Sequence, residues 1–369
     1  MAKVCDVIDT MERWAPSSLA EEWDNVGLIT GNPDNEVKSI IIALDVTEET
    51  IALALKNGAS LIVSHHPPIF KPMKNLTGND LSSRVIRMAI SENISMFASH
   101  TNLDQAPGGV SYALAEKLNL SDINPLTCGN CELFKFVTFC PPEYTDKIRH
   151  AAGLAGAGVI GNYNLCSFKS KGTGTYTPSE GSTPFEGKIN ELSRAEEDRI
   201  EMIVPSVFVS DVISEVKNIH PYEEMAYDII PVSQNEPSFG YGATGNLNEP
   251  MELNDFIEHV CSSLEIDTAV YSAGNNKEIK RVAVMGGSGS NNIATAVTDS
   301  ADAYVTGEIG HHDYMENHNS IVLVDATHRA TELPVLEKIK EQFKTVPALK
   351  GIKSIIDRGT ISYRTYKAN

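Results

Sequence analysis

Two distant stretches of this sequence share one pattern, in which a short apolar run ends in chemically reactive side chains. ASLIVSHH (59–66) aligns with ADAYVTGE (301–308), and HTNLD (100–104) aligns with HRATE (328–332). Nearly continuous runs rich in β-branched residues are typical of parallel strands that are covered on both faces. The pattern predicts an internal duplication, with two related α/β halves whose strands end in functional residues.

The segments between these motifs alternate between helical and strand periodicity. In the first half we predict a helix over 4–14, strands over 39–45, 60–64 and 94–99, a helix opening at Thr47 and another around 82–91. In the second half we predict strands over 281–285, 302–306 and 321–325, a tight loop over 286–290, and helices over 291–299 and 311–317.

The middle of the chain, 128–232, has a different character. Predicted strands over 132–139, 199–205 and 225–232, two helices and a Gly-rich stretch over 158–185 suggest the order strand–helix–strand–strand–helix–strand, typical of a ferredoxin-like α+β domain. Residues 233–248, rich in Asn, Pro, Ser and Gly, are predicted to form its exit linker. The expected organisation is one α/β domain made of two duplicated halves, 1–127 and 246–369, interrupted by an insert over 128–245.

Composition excludes several classes of protein. The chain of 369 residues carries a formal charge of −19, which disfavours binding to nucleic-acid backbones or anionic membranes. Its apolar runs are too short for a transmembrane helix, and its start lacks the features of a secretory signal. Six cysteines in a chain of this length suggest reduced thiols and a cytoplasmic location.

Imidazole and carboxylate groups are predicted to converge at the carboxyl ends of the strands, where open α/β sheets bind ligands. His65 and His66 end one strand and precede two prolines; taken alone, ordinary loop histidines are the less favoured alternative to a functional pair. Matching positions elsewhere hold further groups, namely His100, Asp104, Glu308, His328 and Glu332. Such side chains are common ligands of zinc, manganese and iron, and their number exceeds what one ion needs. A dinuclear site is therefore favoured.

The motifs EEWDNVGL (21–28), SHHPPIF (64–70), SHTNLD (99–104), TGEIGHHD (306–313) and THRATE (327–332) resemble those of the GTP cyclohydrolase I type 2 homologs, a NIF-three-like family of dinuclear-metal proteins. The middle resembles the PII/CutA-like insert of the longer bacterial members, through GNYNLCSF (161–168), GTGTYTP (172–178) and HPYEE (220–224). The resemblance implies a toroidal homohexamer. It also implies that the metal ligands are His65, His66, Asp104, His328 and Glu332.

Other residues near these motifs have two interpretations each. Glu308, which aligns with His66 in the repeat, is either a general base for water activated by a metal or a group that orients a ligand imidazole. His100 either contacts substrate or packs at the strand end, and His312 is a further candidate for one of these supporting roles.

Three local motifs carry weaker signals. Gly287, Ser288 and Gly289 lie in a glycine loop that is either an anion cradle or a plain turn. The spacing of Cys128 and Cys131 allows a zinc ligand pair, but no second pair accompanies it, so reduced thiols are preferred. HPYEE is either part of a small-molecule or subunit surface or a helix-terminating turn.

The sequence thus favours a metal-dependent hydrolase of a nucleotide or other phosphorylated small molecule. Two divalent ions per subunit, zinc rather than iron or manganese, are expected about 3–4 Å apart, with Glu332 between them. The alternative is a non-catalytic metal-binding or regulatory hexamer whose insert senses an effector. Threading of DNA through a ring is disfavoured by the charge.

Overall fold

The structure is a computed structural model that describes residues 2–127, 132–160, 163–235, 239–274 and 278–359. The chain forms two compact units: unit 1 comprises Met1–Gly129 and Ser238–Asn369, and unit 2 comprises Asn130–Pro237. Cys128 and Cys131, like the first two residues of GNYNLCSF, lie outside the described residues. Within the described ranges no helix has the length and apolar character that a membrane span needs.

The described strands are, in chain order, β1 (Gly27–Thr30), β2 (Ser39–Ala43), β3 (Leu61–Ser64), β4 (Ser95–Ala98), β5 (Ser121–Pro125), β6 (Glu132–Cys140), β7 (Phe168–Tyr176), β8 (Ser193–Pro205), β9 (Tyr227–Asn235), β10 (Ala243–Glu252), β11 (Val270–Tyr271), β12 (Glu278–Ser288), β13 (Ala303–Gly307), β14 (Val322–Asp325) and β15 (Lys353–Asp357). The described α-helices are α1 (Val4–Trp14), α2 (Glu48–Lys56), α3 (Leu81–Ser91), α4 (Thr101–Gln105), α5 (Val110–Lys117), α6 (Thr145–Leu154), α7 (Val209–Ile219), α8 (Leu253–Leu264), α9 (Ile293–Thr298), α10 (His311–Asn317), α11 (His328–Glu332) and α12 (Val335–Thr345).

The first sheet of unit 1 has the strand order β1-β4-β3-β2-β15. Its strands are parallel except for β1, which pairs antiparallel with β4 at the edge. Every residue of β2 is buried because both faces of the sheet are covered. Ile40 and Ile42 pack in the core that contains Met11 of α1, whereas Ile41 packs with Ile51 of α2.

The second sheet of unit 1 has the order β11-β14-β13-β12-β10-β5. β12, β13 and β14 run parallel, while β11 and β10 pair antiparallel with β14 and β12. Alternate residues again reach two cores, with Val322 and Val324 on one side and Leu323 on the other. Each sheet therefore brings the carboxyl ends of three successive parallel strands to one edge.

Unit 2 is built on a four-stranded sheet with the order β7-β8-β6-β9, in which all neighbours are antiparallel. Helices α6 and α7 contribute Ile148 and Val212 to a core that also contains Phe136 and Met202. The chain order of strands and helices is the predicted one. The Gly-rich stretch contributes β7, whose side chains are mostly exposed.

Several predicted segments differ from the structure in their bounds, such as the strand predicted over 199–205, which begins at Ser193; two of these segments are polar or Gly-rich. The tight loop over 286–290 begins too early, because β12 continues to Ser288: its pairing with β13 shifts after Val284 and resumes between Ser288 and Gly307. The exit linker over 233–248 is also wrong at its ends, because β9 extends to Asn235 and β10 begins at Ala243. Both errors arise because backbone pairing with neighbouring strands, which composition does not reveal, holds these polar and Gly-rich residues extended.

Candidate metal centre

His65 and His66 are fixed at the carboxyl edge of the first sheet by backbone pairing beyond the end of β3. The His65 N–H donates to the carbonyl of Ala43 at 3.0 Å, and the His66 N–H donates to that of Leu44 at 2.9 Å. The Ser64 hydroxyl donates to the His66 carbonyl at 2.9 Å. The two imidazoles therefore project from a backbone with little freedom.

The second sheet supplies its groups from α11, which begins three residues after β14 ends. His328 and Glu332 are four residues apart, so they lie on the same face of this short helix. Asp325 fixes the turn by accepting hydrogen bonds from the N–H groups of Thr327 at 2.9 Å and Ile309 at 3.0 Å. Thr327 has φ +69°, a strained conformation for a β-branched residue that these contacts hold in place.

The side chains from the two sheets meet at Glu332, which is only 3% exposed. Its Oε1 lies 3.0 Å from His328 Nε2 and 3.6 Å from His65 Nε2, and its Oε2 lies 3.3 Å from His66 Nε2. Asp104, on α4, places its Oδ1 3.7 Å from His65 Nε2. The structure thus brings all five residues of the predicted ligand set into one cluster.

The Nδ1 atoms of the two adjacent histidines are held on the side away from Glu332. His65 Nδ1 lies 2.9 Å from the carbonyl oxygen of Ser99, and His66 Nδ1 lies 2.8 Å from Asp45 Oδ1. Ligand histidines in metal sites are commonly oriented by such a contact at the second ring nitrogen. The arrangement leaves both Nε2 atoms directed into the cluster.

Unpartnered polar atoms provide a test of whether a cation fits here. His65 Nε2 and Glu332 Oε2 are buried and have no hydrogen-bond partner among the described residues. Burying polar atoms without a partner is costly, and a cation bound between imidazole nitrogens and carboxylate oxygens would remove that cost. Two overlapping triads, His65–His66–His100 and His66–His328–Glu332, each bring their nitrogen or oxygen atoms within 4.8 Å of one another. The donor set therefore fits a divalent metal.

The carboxylates and imidazoles of the cluster stabilise one another's charged forms, as the pKa values of Glu332 and His66 show. Burial alone would raise the pKa of Glu332, but its contacts with His328, His65 and His66 outweigh this and hold the pKa well below its usual range. Burial would lower the pKa of His66, yet Asp45 and Glu332 raise it to about 10. Burial raises the pKa of Asp104 to about 7. The carboxylates of Glu332 and Glu308 likewise raise the pKa of His328, so without a cation His66 and His328 favour their protonated forms beside Glu332.

Glu308 and His312, the candidates for supporting roles, lie differently with respect to the cluster. Glu308 has φ +60°, its side chain is 59% exposed, and its Oε1 lies 3.1 Å from His328 Nδ1. The described ring contact of His312 is with His311 at 5.5 Å between centroids, and in the described part of the chain no ring contact joins it to the histidine cluster.

Gly287 lies in β12 and against the cluster. A Cβ placed on Gly287, where φ is +70°, would lie 2.6 Å from Glu332 Oε1 and 3.4 Å from His328 Nε2. The Gly287 N–H donates to the Thr331 hydroxyl at 3.0 Å. Ser288 ends β12, and Gly289 precedes a single 3-10 turn rather than a long helix. Because Gly287 has no Cβ, it leaves space beside the Glu332 carboxylate.

Two aspartates near the cluster were missed by the sequence reasoning. Asp45 lies two residues beyond β2, and Asp24 lies in the loop before β1; they contact Nδ1 of His66 and of His100 at 2.8 and 2.9 Å. His100 and Thr101 lower the pKa of Asp24, outweighing the opposing effect of burial. Asp45 could have been predicted from its position just after a buried parallel strand, because ligands bind at the carboxyl ends of such strands and His65 was predicted in this way.

Comparison with known proteins shows similarity over almost the whole chain. The sequence model of the Duf34/NIF3 (NGG1p interacting factor 3) family matches residues 2–357. Two proteins named GTP cyclohydrolase 1 type 2 homolog, from Halalkalibacterium halodurans and Bacillus subtilis, are 41% and 38% identical over 307 residues, which is 83% of this chain and 82% of each relative. A crystal structure of a Bacillus cereus protein related to NIF3 superposes with a TM-score of 0.79 at 35% identity, covering 99% of both chains.

Proposed function

The chain belongs to the Duf34/NIF3 family, and on that premise we propose that it is a metal-dependent hydrolase of a nucleotide or other phosphorylated small molecule. The observation that carries the proposal is the convergence of three imidazoles on the buried carboxylate of Glu332, where His65 Nε2 and Glu332 Oε2 have no hydrogen-bond partner among the described residues. Structural clusters of charge are usually fully paired, so the unpartnered atoms of this one support a bound cation.

Two divalent ions would be held by His65, His66, Asp104, His328 and Glu332. The two oxygens of Glu332 face different histidines, which supports its placement between the ions. Zinc suits this imidazole–carboxylate set best, and iron or manganese is also compatible with it. When bound, the ions would supply Lewis acidity and activate water.

The protein's own groups would then position the ligands and the substrate. Glu308 is proposed either to orient His328 or to act as a general base: its Oε1 lies 3.1 Å from Nδ1 of that ring, an atom without a hydrogen-bond partner among the described residues. His100 is proposed to face the substrate, since Asp24 holds its Nδ1 and leaves Nε2 to the site. Backbone groups of Ser288 and Gly289 remain candidates for contacting a phosphate.

Metal analysis followed by a turnover screen tests this function. Purified protein is expected to contain divalent metal and to hydrolyse GTP or a phosphoester substrate. Glu332→Ala should lose both metal and turnover, whereas Glu316→Ala, which removes an exposed carboxylate from α10, should retain both. Full metal content in the Glu332→Ala protein would contradict the ligand assignment, and metal-loaded wild-type protein without turnover would contradict hydrolysis.

The finer architecture is also part of the proposal. We propose that 1–127 and 246–369 are halves of a duplicated domain, because each sheet has three successive parallel strands and an antiparallel strand beside the third. The strand order of unit 2 supports a ferredoxin-like, PII/CutA-like insert over 128–245. A cytoplasmic homohexamer is the proposed assembly, and sedimentation velocity tests its mass.

A cavity in unit 2 supports the alternative function, that of a regulatory protein with an effector-sensing insert. The cavity has a volume of about 670 Å³, and its walls include Phe139, Phe185 and Tyr222 together with Lys171 and Arg199. This size and mixture of aromatic and charged groups suit a small organic anion. The full-length protein should bind such an anion, with ATP as the probe, and Phe185→Ala should weaken binding without changing metal content.

A further inference from the structure

Two large aromatic side chains near the metal centre remain exposed. Trp23, in the loop before β1, is 57% exposed, and Phe70, in the loop after β3, is 52% exposed. Their ring centroids are 5.6 Å apart and the rings are tilted by 53°. The two rings are packed together, so they present one aromatic surface, which we call the Trp23–Phe70 platform. Exposed apolar surface of this kind is commonly a binding site.

The platform is held in place by hydrogen bonds between the loops that carry it. The side-chain amide of Asn25 donates to the carbonyl of Ile69 at 2.7 Å, which ties the residue after Asp24 to the residue before Phe70. The carboxylate of Asp24 has no exposed surface and accepts a hydrogen bond from the Thr101 N–H at 3.0 Å. The two rings are therefore fixed by the fold.

His100 connects the platform to the metal centre. Its ring centroid lies 6.1 Å from that of Trp23 and 6.2 Å from that of Phe70. The same ring lies 5.2 Å from His65 and 5.5 Å from His66. A flat ligand resting on the platform would thus reach His100 and the edge of the proposed ligand cluster.

We propose that the Trp23–Phe70 platform stacks the planar heterocyclic ring of a nucleotide and presents it to the metal centre. The inference rests on the proposed function and specifies its substrate class. Aromatic side chains bind any base by stacking, because every base has a π-face. Lys71 and Lys74 follow Phe70, are exposed and take part in none of the described ion pairs, so this segment also offers cations to a phosphate group. A nucleotide combines the two features that the segment recognises.

The binding test uses GTP, with inorganic tripolyphosphate as a probe that has the charge but not the ring. By calorimetry on the full-length protein, Trp23→Ala should weaken GTP binding by about 5- to 150-fold, the range for loss of one stacked base, and leave tripolyphosphate binding unchanged. Trp23→Phe should restore much of the affinity. Phe168→Ala, which removes an exposed aromatic ring from unit 2, is the control and should have no effect.

Fluorescence gives an independent readout, because the chain has two tryptophans and Trp14→Phe leaves Trp23 alone. GTP should quench the emission of Trp23 in that variant, and tripolyphosphate should not. The proposal is overturned if Trp23→Ala weakens the binding of GTP and of tripolyphosphate equally, or weakens the binding of neither. It is also overturned if Trp23→Ala changes the sedimentation mass, because the platform would then be a surface between copies of the chain. GTP that stacks on Trp23 without turnover would instead refute only the hydrolase function, whereas turnover with an unchanged KM in Trp23→Ala would refute only the platform.

Discussion

Substituting Gly287 by alanine should show whether the position of Glu332 in the proposed metal centre controls metal affinity independently of the stability of the protein. The added Cβ would lie 2.6 Å from Glu332 Oε1, whereas real Cβ atoms essentially never approach a neighbour closer than 3.0 Å and ordinary contacts begin at 3.4 Å. The carboxylate must therefore recede by about 0.4–0.8 Å. Metal–ligand distances are tolerant to about 0.2 Å, so the shift is several times what a bound ion accepts.

The same substitution also strains the backbone, because Gly287 has φ +70°. A left-handed conformation costs a residue with a Cβ about 1–2 kcal/mol of folding free energy. Gly58 is a matched control: its φ is +60°, and a Cβ placed on it meets nothing within 4 Å. Gly58→Ala should therefore carry the same backbone cost without displacing Glu332.

The assay is metal content by mass spectrometry together with a competition titration using zinc and a chromogenic chelator. Gly287→Ala should lower the affinity for zinc by about 10- to 100-fold, as changes beside a ligand commonly do. Gly58→Ala should bind zinc like the wild type, although both variants unfold at lower denaturant concentration. Equal zinc affinity in the two variants would refute the argument that the space above Gly287 positions Glu332.

Three further predictions follow from the same structure. Because Asp45 and Glu332 raise the pKa of His66 to about 10, zinc must displace a proton from it. Asp104, whose pKa burial raises to about 7, gives up a second proton in the same range, so competition titrations should show zinc affinity rising by more than tenfold per pH unit between about pH 6 and 8. Phe136→Ala should destabilise unit 2 by about 3–5 kcal/mol in denaturant unfolding and leave metal content unchanged. The hydrogen bond from Lys169 lowers the pKa of Asp198, so that stabilisation is present above about pH 4 and lost as the pH falls further; Asp198→Asn should flatten the acid limb of a circular-dichroism stability profile.

The sequence predicted well those elements whose own side chains show a clear pattern of apolar residues. The helix at Val4–Trp14 and the strand that begins at Ser39 have strong apolar periodicity, and both begin where they were predicted to begin. The strand over 243–252 was missed because its Gly, Asn and Pro residues carry no apolar pattern; it exists because it pairs with β12 and β5 on its two sides.

The same distinction applies to the site. Residues such as His65 were predicted because they follow buried strands, and that position is visible in one sequence. Asp24 lies in a loop far along the chain from His100, and only the fold shows that they form a pair. The aromatic contact of Trp23 with Phe70 was equally inaccessible, since nothing in either motif indicates which loops meet.

The pairing of β15 with β2 affects how this protein emerges from a ribosome. Thr50, in α2, the helix that follows β2, donates a hydrogen bond at 2.7 Å to Asp357, at the end of β15, which is 307 residues later in the chain. Unit 2 closes its own sheet from neighbouring segments and is free to fold during synthesis, whereas the first sheet is completed only when β15 has been synthesised. His65 likewise lacks its contact with Glu332 until residue 332 has been synthesised. Metal loading at the proposed site would therefore follow synthesis of α11, and a chain that stops before residue 332 would carry the imidazoles of His65 and His66 without the carboxylate of Glu332.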